Sequence, residues 1–376
     1  MSSFATLQNI IIRADAAVHI GSGHVMRCLT LADELRKQGG KVTFICREWE
    51  GNLQNHIENK GYKCILLKRP SEAYSEPNNE YAAWLGVCKE QDAVETLAAI
   101  SEEAVDWCIA DHYGIDAEWH SIIRRKACQI MVIDDIASRM YDCDVLLDQN
   151  LYDNPEERYK SRVPAQCRLL LGSEYALLRP EFREARERLG SRLIRNGEVK
   201  RILVFFGGSD PTNETAKAVK ALHILGCEDR YAEIQADVIV GIANPHRAEI
   251  EHLCALSPNT HFHCQVPNMA DFMMKADLAL GAGGSTTWER CCLGLPTLAV
   301  IIAENQAGMT ETAARHGLQL NLGWYFRLSE TDIVAALRRI LHLPHSIKAH
   351  SSKASALVSC NGVERVREII MLSKTT

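Results

Sequence analysis

No apolar run in this sequence is long enough to cross a bilayer; the longest, LGLPTLAVIIA (293–303), is short and broken by Pro296. Positive charge is not in excess either. Forty-two Lys and Arg against 48 Asp and Glu leave a formal net charge of −6, so nothing electrostatic points to nucleic acid or an anionic membrane as partner. Local sites for a small anion stay open. The first strand-like run, NIIIRADA, begins at Asn9, which leaves no room for a charged segment followed by an apolar signal core. The 14 cysteines form no Cys-x-x-Cys pair and sit inside apolar runs such as DWCIAD and ERCCLG. That is the pattern of buried thiols in a reducing cytosol rather than of a disulfide framework, and a cytoplasmic location is expected. Short-period repeats and low-complexity tracts are also missing.

What is present is enough apolar sequence, 47% of 376 residues, for two α/β domains with separate cores. Runs rich in Ile, Val and Leu at 9–16, 41–48, 63–68, 106–114, 128–135 and 144–150 read as buried parallel strands. Helical patterns lie between several of them, as in VMRCLTLADELRKQGG, where Met26, Leu29, Leu31 and Leu35 share a broad face and Gly39 ends the helix. A charged helical stretch, 180–200, reads as a hinge. The alternation then restarts at 201–210, 236–243, 260–266, 276–284 and 296–305, and the chain finishes in helices after residue 328. The expected fold is α/β, with two Rossmann-like domains facing a cleft, 1–185 and 200–376.

Ligands of open parallel sheets gather in the loops after the strands. The first such loop, ADAAVHIGSGHVMRCL (14–29), lacks the third glycine of a dinucleotide fingerprint, because Met26 stands where G-x-G-x-x-G would need it. Gly21, Gly23 and His24 instead put an imidazole near a helix start, where a ligand's anionic group would bind. A glycine turn with a capping or buried histidine is the alternative. In the second loop, GGSDPTNETA (207–216), the backbone N–H groups around Gly207, Gly208 and Ser209 and the following helix can hold a diphosphate, or the stretch is a turn with an N-cap. In the third, GAGGSTTWERCCLGLP (281–296), Ser285 and Thr286 can meet phosphate and Glu289 both hydroxyls of a ribose; Thr286 with Glu289 also has capping-box spacing. In the fourth, Glu304, Asn305 and Gln306 open a helix where their polar groups can face a sugar or act as caps. ADHYG sets His112 and Tyr113 at a strand end, and IDDIASR does the same with Asp134 and Asp135, which point to opposite faces if the strand runs through them. The histidines form no H-x-x-x-H pair with a nearby acid, and His261 and His263 alternate along a strand without a third ligand. No metal and no cofactor are expected.

IIRADAAVHIGSGHVMRCLTLADELRKQGGKVTFICRE, ADHYGID, LLGSEYALLRPEF, FFGGSDPTN, GAGGSTTWERCCLGLPTLAVIIAENQ and CNGVERVREII together resemble, in order and over nearly the whole chain, the PseG family. These are the UDP-2,4-diacetamido-2,4,6-trideoxy-β-L-altropyranose hydrolases of pseudaminic acid biosynthesis. The G-x-G-H-x-x-R element is the specific part. The family is similar in fold to the GT-B glycosyltransferases, especially the one that adds GlcNAc to lipid II. The resemblance implies metal-free cleavage of the bond between the anomeric carbon and the UDP oxygen, with inversion. It implies His24 as the base that activates water, Asn305 and Tyr113 as active-site residues, and the GGSD turn with Ser285, Thr286 and Glu289 as the UDP site. A UDP-sugar would then be the small-molecule partner, with no nucleic acid and no membrane insertion; no residue pattern points to an oligomeric state. Free imidazole, titrating near 6.5, suits a base at neutral pH. Additional residues around 68–86 and 187–201 depart from the compact pattern of the family and are expected not to touch the site motifs. A GT-B glycosyltransferase and a non-catalytic sugar-nucleotide-binding protein are the competing functions.

Overall fold

Strands that are apolar on both faces must be covered on both faces, which is the condition of a parallel sheet between helices. The computed structural model, which describes residues 8–72, 74–76, 81–100 and 104–372, holds two such sheets. The first belongs to a unit made of residues 1–150, 154–177 and 361–376. Its strands are β1 (Asn9–Ala14), β2 (Lys41–Arg47), β3 (Lys63–Leu67), β4 (Val105–Asp111), β5 (Ala127–Ile133), β6 (Val145–Asp148) and β7 (Arg168–Leu171), in the order β3-β2-β1-β4-β5-β6-β7. Ile10 and Ile12 enter one core and Ile11 the core on the other face, as the twofold repeat of a strand requires.

The second unit comprises residues 151–153 and 178–360. Its strands are β8 (Arg201–Phe205), β9 (Gln235–Val240), β10 (Thr260–Cys264), β11 (Leu278–Ala282), β12 (Thr297–Ile301) and β13 (Leu320–Trp324), in the order β10-β9-β8-β11-β12-β13. All pairings in both sheets are parallel. Each sheet reverses its order beside its first strand, between β1 and β4 and between β8 and β11. Ligands of such folds bind at these switch points, outside the carboxyl ends of the strands.

The two Rossmann-like domains expected from the sequence are therefore present, with differences at their borders. Helix Pro180–Leu189, read as part of a hinge, is integral to the second unit, where Arg186 donates to the carbonyls of Cys292, Ser355 and Val358. The last helix, Gly362–Leu372, expected within 200–376, packs on the first sheet. Val363, Val366 and Ile370 enter that core, and the indole of Trp107 donates to the carbonyl of Ile370 at 3.1 Å. Its helical spacing required a sheet to cover but did not specify which. Strand β7, only four residues, and strand β13, half-buried throughout, were not among the sequence-predicted strands. The expectation of thiols alone is also corrected: Cys292 and Cys360, 68 residues apart, form a disulfide, and the other 12 cysteines are free. Nothing local in either segment signals that pairing.

Candidate functional site

At the switch point of the first sheet, β1 leads through Gly21 (φ +85°) into helix Gly23–Lys37, and β4 ends at Asp111. His24 and Arg27, three apart, share one helix face and meet that carboxylate together. His24 Nδ1 lies 2.7 Å from Asp111 Oδ1. Arg27 grips the same group with Nε at 2.6 Å and Nη2 at 2.7 Å. Burial would raise the Asp111 pKa, but Arg27 and then His24 override it and hold the carboxyl well below the usual carboxylate range. An ionised acceptor at this distance favours the proton on Nδ1, so in the neutral imidazole the free lone pair is on Nε2. The side chain of His24 keeps 10% of its surface exposed.

Arg27 reaches on to Asp135 at 2.8 Å, and Asp135 also accepts from Tyr113 OH at 2.5 Å and from Asn150 Nδ2 at 2.7 Å. The rings of Tyr113 and His24 meet edge to face, centroids 4.7 Å apart. The structure thus brings His24, its neighbour Gly23, and Tyr113 together. The expectation that 68–86 would leave the site motifs untouched is overturned: Tyr81 and Trp84 pack against Tyr113, and Trp84 reaches His24. A 19-residue stretch read only as extra length gave no sign of where its two aromatics would land.

Beneath this loop lies a buried ion network. Arg13 pairs with Asp15 at 2.6 Å and Asp92 at 2.8 Å, and Arg47 joins Asp92 at 2.6 Å. His112, singled out with Tyr113, belongs to this support: Nδ1 accepts from Gly114 N–H, and Nε2 faces Asp15 at 3.3 Å. Strand β5 stops at Ile133, so the condition for opposite faces is not met, but the two aspartates that follow it still part. Asp134 turns away from Asp135 to Arg139 and to Tyr159 OH, which stands 2.9 Å from Asp134 and 2.9 Å from Asp148. One phenolic proton cannot serve two carboxylates. Burial, reinforced by Asp135, pushes the Asp148 carboxyl up to about 7, so Asp148 can donate to Tyr159 while Tyr159 donates to Asp134.

The second unit gathers the other predicted loops at its own switch point. After β8, Gly207 (φ +100°) and Gly208 lead to Ser209, whose side chain makes no hydrogen bond among the described residues. The helix Glu214–Gly226 does not offer its first amides to a ligand as expected, because Asp210 accepts from Glu214 N–H at 3.1 Å and Thr215 N–H at 2.8 Å. After β11, Ser285 is the cap position of helix Thr286–Cys292 without a side-chain cap, so the capping-box alternative for Thr286 and Glu289 is not formed. Glu289 instead meets Arg179 at 3.3 Å; burial raises its pKa, partly offset by Arg179. After β12, Gln306 accepts from Ile302 N–H at 3.3 Å and lies against Gly284, where a Cβ would come 3.4 Å from Nε2. Asn305 makes no side-chain hydrogen bond among the described residues.

Sequence reasoning missed Asp111, Arg27 and Arg179 as site residues, whereas Asp135 is among its strand-end candidates. The His24–Arg27 spacing within G-x-G-H-x-x-R was the available signal for two of them: an imidazole and a guanidinium on one buried helix face call for a shared acceptor. A cavity of ≈500 Å³ at the opposite, amino-terminal end of β8, lined by Arg192, Arg195, Arg201 and Asp277 among others, contains none of the predicted site residues. Among the described residues no group of three or more His, Cys, Asp or Glu is arranged to hold a metal, and no helix is long and apolar enough to cross a membrane.

These two switch-point sites stand on a GT-B-like pair of Rossmann domains, and residues 202–366 match the Glycosyltransferase family 28 C-terminal domain. The fold is shared with MurG of Acinetobacter baumannii (TM-score 0.62, 14% identity, 96% of this chain and 99% of that one). It is also shared with UGT89C1 of Arabidopsis thaliana (TM-score 0.64, 13% identity, 98% and 100%). Among relatives in sequence, the UDP-2,4-diacetamido-2,4,6-trideoxy-β-L-altropyranose hydrolase of Campylobacter jejuni is 25% identical over 318 residues, 83% of this chain and 98% of that protein. The spore coat polysaccharide biosynthesis protein SpsG of Bacillus subtilis is 25% identical over 364 residues, 96% of each. An uncharacterised protein of Methanocaldococcus jannaschii is 26% identical over 334 residues, and the chain spans only 63% of its length. The chain is thus similar to the PseG family, as its motifs suggested.

Proposed function

We propose that this protein is an enzyme acting on UDP-sugars, and specifically a hydrolase that releases UDP from UDP-2,4-diacetamido-2,4,6-trideoxy-β-L-altropyranose for pseudaminic acid biosynthesis. The observation that carries this reading is the Asp111–His24 pair at 2.7 Å, which leaves an imidazole nitrogen basic at a switch point. Water gives a proton to His24 Nε2 while its oxygen bonds to the anomeric carbon on the face opposite the nucleotide. The bond from that carbon to the UDP oxygen breaks, UDP leaves with the electron pair, and the sugar is released with inverted configuration. Gly207, Gly208, Ser209, Ser285 and Thr286 hold the nucleotide, Glu289 the ribose, and Asn305, Gln306 and Tyr113 the sugar or the water, with no metal. Twelve free cysteines support a cytoplasmic setting.

The test is UDP release from this sugar nucleotide in water without acceptor, with the product anomer read by NMR. His24→Asn and His24→Gln should lower kcat by about 10² to 10⁴, the range of a lost general base, and leave UDP affinity nearly intact. More than a tenth of wild-type kcat in a folded variant would remove His24 from the chemistry. The family 28 domain match favours one second reading, a glycosyltransferase; that protein would leave most of the sugar nucleotide intact until an acceptor is added.

A further inference from the structure

We infer that Trp84, with Tyr81 beside it, is the specificity-determining wall of the sugar site, selecting a hexose with a methyl group at C6 over one with a hydroxymethyl group. The inference rests on the proposed UDP-sugar reaction. Trp84 stacks on Tyr113 with ring centroids 5.5 Å apart and planes at 25°, and its ring meets the His24 imidazole edge-on at 6.0 Å. Tyr81 closes the corner, 4.9 Å from Trp84 and 5.1 Å from Tyr113.

The wall is held rigidly. Trp49 Nε1 donates to the Trp84 carbonyl at 3.0 Å, and Leu85 is buried in the core. Gly86 sits at φ +80°, and a Cβ there would come 2.6 Å from the Trp49 ring, so only glycine lets the segment turn back. Tyr113 is buried with its hydroxyl fixed on Asp135, whereas Trp84 and Tyr81 keep part of their surface open. The Trp84 indole N–H makes no hydrogen bond among the described residues.

A flat aromatic surface with one open donor, beside the base, suits the C–H face of a sugar, a methyl substituent and an acetamido carbonyl. Ring carbons offer a C6 hydroxyl no acceptor, so a hydroxymethyl group would lose its water without replacement. One group of this size in an apolar site is worth about 10- to 200-fold in kcat/KM.

The experiment compares wild type, Trp84→Ala and Trp84→Phe on UDP-2,4-diacetamido-2,4,6-trideoxy-β-L-altropyranose and on its 6-hydroxy analogue, with folding checked by circular dichroism. Trp84→Ala should raise KM for the trideoxy sugar at least tenfold and shrink the preference over the 6-hydroxy analogue, and Trp84→Phe should restore most of it. Saturation-transfer NMR with the same trideoxy nucleotide on His24→Asn should mark the sugar methyl protons, and adding Trp84→Ala should abolish that mark while the uracil protons stay marked. Methyl saturation without UDP release by the wild type would sink the proposed reaction and leave this inference standing. Release with an unchanged KM and persisting methyl saturation in Trp84→Ala would overturn the inference, as would the absence of methyl saturation altogether.

Discussion

Asp111 and His24, 87 positions apart in the sequence, meet at 2.7 Å because β1 and β4 are neighbours and both end at the same edge of the sheet. Arg27 shares the carboxylate, so Asp111 orients the imidazole and also neutralises a buried guanidinium. Two effects of its removal can therefore be separated.

Asp111→Asn keeps the shape but can present an N–H to Nδ1, which favours the tautomer with its lone pair on the wrong nitrogen. The release of UDP should fall about 10²- to 10⁴-fold with UDP affinity unchanged. The variant should also lose stability by about 3 kcal/mol, because Arg27 retains only Asp135. Steady-state kinetics, nucleotide calorimetry and thermal unfolding together check this; wild-type kcat would contradict the orienting role.

Glu289→Ala should weaken nucleotide binding about 10- to 100-fold, the value of a hydrogen bond to a charged group, because the carboxylate is proposed to hold the ribose in ground and transition states alike. KM should rise far more than kcat falls. A collapsed kcat at unchanged KM would take Glu289 out of the nucleotide site.

Asp148 gives a pH dependence of stability. Burial and Asp135 raise its folded pKa from 3.8 to about 7, so its stabilising proton is fully held below about pH 4 and the contribution is lost as pH rises to 7. Asp111, whose pKa is depressed, works the other way and costs stability only in more acidic solution. Asp148→Asn keeps a donor toward Tyr159 and an acceptor for Asn150 N–H. Its melting temperature relative to wild type should climb between pH 5 and pH 8, as scanning calorimetry would show; a constant offset would refute the raised pKa.

Full activity is expected in excess EDTA, because the proposed reaction assigns water activation to His24 and UDP departure to hydroxyl and backbone donors. Lost activity that Mg²⁺ or Mn²⁺ restores would contradict it.

Much of this protein was written in local sequence. Apolar runs of strand length, glycines at strand ends and helical spacing between them specify two parallel sheets, since such strands have no solvated face to offer. They also bring His24, Gly207, Ser285 and Asn305 to the carboxyl ends of their sheets, because each lies in the loop or helix start that comes after its strand. The partners were decided only in three dimensions. Asp111 meets His24 because β4 lies beside β1; Trp84 meets Tyr113 because Gly86 turns an extra segment against Trp49; Asp210, rather than a ligand, takes the first amides of its helix. Helix Gly362–Leu372 shows the same division. Its amphipathic spacing fixed that it would pack on a sheet, while the choice of the first sheet depended on a surface left open more than two hundred residues earlier in the chain, at Trp107.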